Sequence, residues 1–135
     1  MVTGVNHITL SVKNLAASFE FYTRILGIEP RARWPKDAYL EAGGTWIALL
    51  EDKKARDTQL PEYTHVAFSV RSKDFGPLSK RIRESGAEIW HRNETEGPSI
   101  YFLDPDGHKL EIHVGTLETR IASAKKDAWE GLELF

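Results

Sequence analysis

"VNHITLSV", residues 5–12, and "YTHVAFSV", residues 63–70, are two copies of one design. Each alternates apolar with polar side chains and is rich in β-branched residues, the period-two signature of a half-buried strand. Aligned on their shared Ser-Val ending, they set His7 against His65. The segments after the two copies are also alike. In the first half Asn14 can cap a helix with Leu15, Phe19, Tyr22, Ile25 and Leu26 on one face, stopped by Gly27. In the second, Ser72 is expected to cap a helix with Phe75, Leu78 and Ile82 on one face, stopped by Gly86.

Three short strand-like runs come after each helix: about 29–34, 39–41 and 45–50, then about 88–92, 99–103 and 109–114. Each half therefore reads β-α-β-β-β. A polar link over about 51–62, containing Pro61, joins them. One such module of about 55 residues buries too little apolar surface to stand comfortably alone, so two should pair around a shared cleft. The expected fold class is α+β: a single domain, 1–135, of two paired βαβββ modules. Module one covers about 1–55 and module two about 61–115. A C-terminal helix over about 116–126 packs through Ile121 and Ala124 and carries Arg120 near its middle.

With 18 Lys plus Arg against 20 Asp plus Glu, the 135-residue chain has no overall field to recruit nucleic acid or an acidic membrane surface. It contains no cysteine, which excludes a disulfide framework, a thiolate metal site and a cysteine nucleophile. Met1 to Val12 show no basic leader before a long apolar core, and no segment approaches the roughly 18–20 apolar residues of a membrane span. A soluble, cytoplasmic protein is the expectation.

A period-two strand points His7 and His65 to the same side of their sheets, and Glu111 sits on the last strand of module two between Leu110 and Ile112, which face the other way. Two imidazoles and a carboxylate suit a divalent first-row metal such as Mn²⁺, Fe²⁺, Ni²⁺ or Zn²⁺ and leave coordination positions open for substrate. A lone histidine more often serves structure, and only the matched placement in a repeat raises the metal reading to equal standing. His113 shares the alternation of Glu111 and reads as a ligand or as a partner of one, whereas His108 at a turn exit reads as structural or solvent-facing. "DPDG", 104–107, is a hairpin turn in which Pro sets φ, the Asp side chains accept local N–H groups and Gly takes the left-handed position. "RNETEGPS", 92–99, is a polar loop that in isolation reads first as a solvated hairpin loop, although its oxygens also suit a hard cation.

These stretches resemble the fosfomycin-resistance thiol transferases of the vicinal oxygen chelate superfamily (the glyoxalase/bleomycin resistance/dioxygenase group), and most closely their glutathione-using branch. The resemblance runs through "VNHITLSVKNLAASFEFY", "YTHVAFSV", "EG-x-S-x-YFLDPDGHKLE-x-HVG-x-L" and Arg120, nearly the whole chain. It implies a cytoplasmic homodimer with modules paired across the subunits, so that both chains build each site. Mn²⁺ would be held by His7, His65 and Glu111. The implied reaction is opening of the epoxide of fosfomycin by glutathione, conferring antibiotic resistance, with no nucleic-acid or membrane partner.

Carried over by position, Thr9 lies near the oxirane oxygen and Tyr39 on the thiol side, the two catalytic candidates, while Trp46 and Tyr63 line the pocket. Ser99, Tyr101 and Arg120 hold the phosphonate, with Thr95 and His91 beside them; Asn93, Thr95, Glu96, Gly97 and Ser99 match a K⁺-holding loop. Two departures stand out: His91 replaces a lysine that contacts the phosphonate, and Ala48 occupies the counterpart of Glu111 in module one. Ala48 cannot ligate, which disfavours a glyoxalase-type lyase with a fourth protein ligand. Three other readings are a hydrolase using Glu41 as base, a bacillithiol- or cysteine-using relative, and a drug-sequestering protein. The short loop before Ser99 favours glutathione over bacillithiol or cysteine.

Overall fold

The computed structural model describes residues 1–135. In chain order the elements are β1 (His7–Val12), α1 (Leu15–Glu20) continuing through one π-helical turn (Phe21–Ile25), β2 (Glu29–Trp34), β3 (Asp37–Ala42) and β4 (Thr45–Glu51), then β5 (Val66–Ser69), α2 (Ser72–Glu84), β6 (Ile89–His91), β7 (Ser99–Leu103), β8 (Lys109–His113) and α3 (Leu117–Lys126). The repeat is therefore real in three dimensions. One sheet has the order β1-β4-β3-β2 and the other β5-β8-β7-β6. Both have a parallel pair between the module's first and last strands and antiparallel pairs elsewhere.

Register makes the repeat residue-specific. Tyr39 pairs with Ala48, which pairs in turn with Thr9. Tyr101 pairs with Glu111, which pairs with Ala67. Ala48 is thus the structural counterpart of Glu111, and a carboxylate stands at this position in one module only.

Each sheet turns one face to a single hydrophobic core built from both modules, including Leu10, Val12, Tyr22, Leu40, Ile47, Leu49, Ile82, Phe102, Leu110 and Ile112. Alternation then puts His7, Thr9, Tyr39 and Trp46 on the other face of the first sheet, and Tyr101, Glu111 and His113 on that of the second. The C-terminal helix starts at a capping box in which Thr116 accepts from the Thr119 amide, and it buries Ala124.

Local differences from the sequence expectation have physical causes. Asn14 caps α1 by accepting from the Ala17 amide. At α2 the amides of Asp74 and Phe75 instead close on the Arg71 carbonyl, so Arg71 is the cap residue and Ser72 is already helical. β1 and β5 begin later than expected, at His7 and Val66, where their ladders with β4 and β8 start. His65 consequently sits just ahead of its strand.

Candidate metal centre and its aromatic wall

The hairpin that delivers Glu111 is anchored to module one through its turn. Within the turn, Asp104 Oδ1 accepts the Asp106 and His108 amides at 2.9 and 2.8 Å. Its other oxygen accepts the Tyr22 hydroxyl at 2.7 Å, and Asp106 accepts the Lys13 amide at 2.8 Å and the Ser18 hydroxyl at 3.3 Å. His108 Nε2 lies 2.8 Å from the Ser11 carbonyl and is 7% exposed, so this histidine is structural, not solvent-facing. Burial, reinforced by the charge of Asp104, pushes the Tyr22 phenol well above its ordinary value. Burial raises Asp104 too, against the opposing pull of His108, Tyr22 and the turn amides. Gly107 takes φ +91°, and a Cβ there would lie 2.5 Å from the Thr58 carbonyl carbon. None of these contacts between modules was legible in the motif, which signalled only a turn.

Beyond the turn, β8 presents Glu111, 7% exposed, with one carboxylate oxygen 3.0 Å from His65 Nε2. The opposite nitrogen of His65, Nδ1, lies 2.8 Å from the Tyr63 carbonyl, which can only accept. His65 therefore carries a proton on Nδ1, and its Nε2 lone pair confronts an acceptor-only oxygen. Two acceptors at that distance need a cation or a proton between them, which is the donor chemistry of a divalent metal site. His7 is prepared in the same way, with Nδ1 2.7 Å from Asn6 Oδ1 and Nε2 left for a ligand.

The three expected ligands are divided between the sheets: His65 meets Glu111, whereas His7 lies tilted against Trp46 in the other module, with ring centroids 4.4 Å apart. Within one chain no three His, Asp or Glu side chains are placed so that they could hold a metal ion. Convergence of all three, expected from the strand alternation, is thus not achieved inside one chain.

Around His65 stands an aromatic wall. Tyr63, Trp90 and Tyr101 have ring centroids 5.0, 5.5 and 5.9 Å from the imidazole. His91 stacks on Trp90 at 5.4 Å and meets Tyr101 and Tyr63 edge-on at 5.0 and 5.2 Å. Lys109 props this wall from behind, its ammonium 5.0 Å from the Trp90 ring and bonded to the Glu62 carbonyl. Partial desolvation, the nearby Tyr101 and the Glu111 charge hold the Tyr63 phenol above its ordinary value, so it remains a neutral donor. On the first sheet Tyr39 bridges Trp34 and Trp46, each with centroids 4.8 Å away, Thr9 is exposed, and the Trp46 indole N–H is buried without a partner.

The expected cation loop is organised by Asn93, which donates to the Gly97 carbonyl at 2.9 Å and accepts the Thr95 amide and hydroxyl at 3.1 Å. Arg120 reaches over from α3 and donates to the Glu96 carbonyl at 3.2 Å. One Glu96 carboxylate oxygen is buried with no hydrogen-bond partner, 3.9 Å from Arg120 Nε. Ser99 faces away from the loop, donating to Glu111 at 2.6 Å. Asn93, Thr95, Glu96 and Arg120 thus form one cluster, and Ser99 belongs to the Glu111 carboxylate.

The family model for the glyoxalase/bleomycin resistance protein/dioxygenase superfamily matches residues 4–112. Among characterised relatives, glutathione transferase FosA of Serratia marcescens is 44% identical over 134 residues, covering 98% of this chain and 95% of that protein. Metallothiol transferase FosB of Shouchella clausii is 43% identical over 133 residues, covering 95% and 91%. Among solved structures, the fosfomycin resistance protein FosX of Listeria monocytogenes, complexed with Mn(II) and sulfate, superposes with a TM-score of 0.77 at 35% identity, covering 91% of this chain and 98% of that one. A variant of the same protein complexed with Mn(II) and 1S,2S-dihydroxypropylphosphonic acid gives 0.76 at 33%, covering 90% and 99%.

Proposed function

The chain belongs to the glyoxalase/bleomycin resistance/dioxygenase superfamily and, within it, to the fosfomycin-resistance enzymes, and we propose that it opens the epoxide of fosfomycin by adding glutathione. In this proposal 1–135 is one domain, with modules 1–55 and 61–115, acting in the cytoplasm as a homodimer. One observation carries it: His65 Nε2 and Glu111 stand 3.0 Å apart as two acceptors, with the far side of the imidazole pinned by Tyr63. The third ligand, His7, is prepared in the same way on the other module, and pairing modules across subunits would bring one chain's His7 to the other's His65 and Glu111. No helix is long and apolar enough to cross a membrane.

His7, His65 and Glu111 would hold a divalent cation, Mn²⁺ in the first instance, which would supply Lewis acidity toward the epoxide oxygen. The remaining work falls to the chain. Thr9 donates a hydrogen bond toward the oxirane oxygen, and Tyr39, wedged between Trp34 and Trp46, lies on the side from which the thiol approaches. Trp46, Tyr63 and Tyr101 exclude water from the electrophilic carbon. Arg120, with Tyr101, Thr95 and His91, receives the phosphonate, Arg120 by charge-assisted hydrogen bonds. Asn93, Thr95, Glu96 and Gly97 would hold K⁺ beside it, with the unpartnered Glu96 oxygen as the natural anionic donor.

A water-using hydrolase is the second reading, prompted by the likeness to FosX. Here Glu41, the carboxylate such a reaction would aim at water, is instead paired with Arg31. Phosphorus NMR of fosfomycin with the protein, Mn²⁺, K⁺ and glutathione, cysteine, bacillithiol or no thiol separates the readings. We expect a new phosphonate resonance with glutathione. Product without thiol would replace transfer by hydrolysis, and no product with tight fosfomycin binding would replace both by sequestration.

A further inference from the structure

Resting on the reading of Glu111 as a metal ligand, we propose that His113 is a positioning residue that locks the ligand carboxylate through the Ser99 hydroxyl. Proton counting sets the direction of the bonds. Ser99 Oγ lies 2.6 Å from Glu111 Oε1 and 2.6 Å from His113 Nδ1, and a serine has one proton to give. The carboxylate oxygen only accepts, so the hydroxyl proton points to Glu111. His113 must then donate its Nδ1–H to Ser99. The chain of bonds runs in one direction, from His113 to Ser99 to Glu111 Oε1, leaving Oε2 toward His65.

His113 is held in place to do this. Gly97 and Gly115 flank its ring: a Cβ on Gly97 would come within 3.1 Å of Cε1, and one on Gly115 within 2.6 Å of Nε2. One nitrogen is walled by backbone and the other is engaged with Ser99. His113 is therefore not itself a ligand, which decides between the two roles its place on the strand allowed. Ser99 and His113 face each other across the β7–β8 ladder, so the contact is fixed by register, not by loop conformation. Partners that hold a ligand's second atom are worth about 10–100-fold in metal affinity.

The test uses a pair of variants of nearly equal size. His113→Asn keeps a donor at the place of Nδ1, and His113→Leu removes it while keeping the same heavy-atom count and branching as Asn. Mn²⁺ affinity of the full-length protein, read by electron paramagnetic resonance of the free ion, should stay within about threefold of wild type for His113→Asn and weaken about 10–100-fold for His113→Leu. Ser99→Ala should give the same loss with the histidine intact, and Ser99→Ala/His113→Leu no more than Ser99→Ala alone, because the histidine acts only through the serine. Equal affinities for the Asn and Leu variants, or additive losses in the double variant, would overturn the inference while leaving the metal site standing. A wild-type protein that binds no Mn²⁺ would overturn both. Should His113→Leu not fold, His113→Ala takes its place against His113→Asn, with the same loss expected and the same equality overturning the inference.

Discussion

Tyr22→Phe deletes one oxygen, yet it should weaken the joint between the modules. The Tyr22 side chain is fully buried and its hydroxyl is the sole side-chain donor to Asp104 Oδ2, at 2.7 Å. Removing it leaves a buried carboxylate oxygen without that donor, a loss of about 2 kcal/mol for a hydrogen bond to a charged group. In a domain of this size that lowers the melting temperature by about 6–8 °C. The pH dependence is specific to the mechanism. Asp104 has a folded-state pKa raised by burial, so the folded form holds its proton more tightly than the unfolded chain. Such a group contributes stability that is fully present below its unfolded value and is lost as pH rises through the folded value. The Tyr22 hydroxyl opposes that rise by bonding the anion, so its loss lifts the carboxyl further. The deficit of Tyr22→Phe relative to wild type should therefore be greatest near neutrality and shrink as pH falls toward the carboxylate range. Calorimetric melts of both proteins at about pH 7 and about pH 5 measure it. Equal melting temperatures at neutral pH, or a deficit that grows on acidification, would contradict this account of the Tyr22–Asp104 bond.

Three further outcomes test the site and its support. If each site takes His7 from one subunit and Glu111 from the other, mixing inactive His7→Ala and Glu111→Gln proteins and allowing subunits to exchange should restore about a quarter of the wild-type activity, since half the dimers are mixed and each has one intact site. No recovery in a mixture shown by mass spectrometry to contain mixed dimers would place the ligands within one chain. His91→Lys should raise kcat/KM for fosfomycin, because lysine is a permanent cation where the phosphonate binds; an unchanged or lower value removes that role for position 91. Gly107→Ala meets the Thr58 carbonyl carbon at 2.5 Å with φ at +91°, and should cost about 2–4 kcal/mol in denaturant unfolding. A cost under about half a kcal/mol would show that the turn and the link move apart freely.

The order and kind of the elements lay open in the chain because they rest on short-range rules. Alternation around His7 and His65, the Asn14 cap and the glycines after each helix set the pattern in both halves, and the strands appear where that pattern puts them. The equivalence of Ala48 and Glu111 also comes from counting along matched strands, and the ladders bear it out. The family resemblance, spread over nearly the full length, needed no tertiary structure either.

Contacts between residues far apart in the chain had no such signal. That Asp104 and Asp106 bind Tyr22, Ser18 and Lys13, that Lys109 props Trp90, and that His113 reaches Glu111 through Ser99 depend on how two sheets and a helix come to rest against one another. Periodicity tells which face a side chain occupies, but not which neighbour fills the hydrogen-bonding distance across it. The same limit applies to His7: its strand's pattern places it on the open face, and only the packing of the modules leaves that face of the first sheet apart from His65 and Glu111 within one chain.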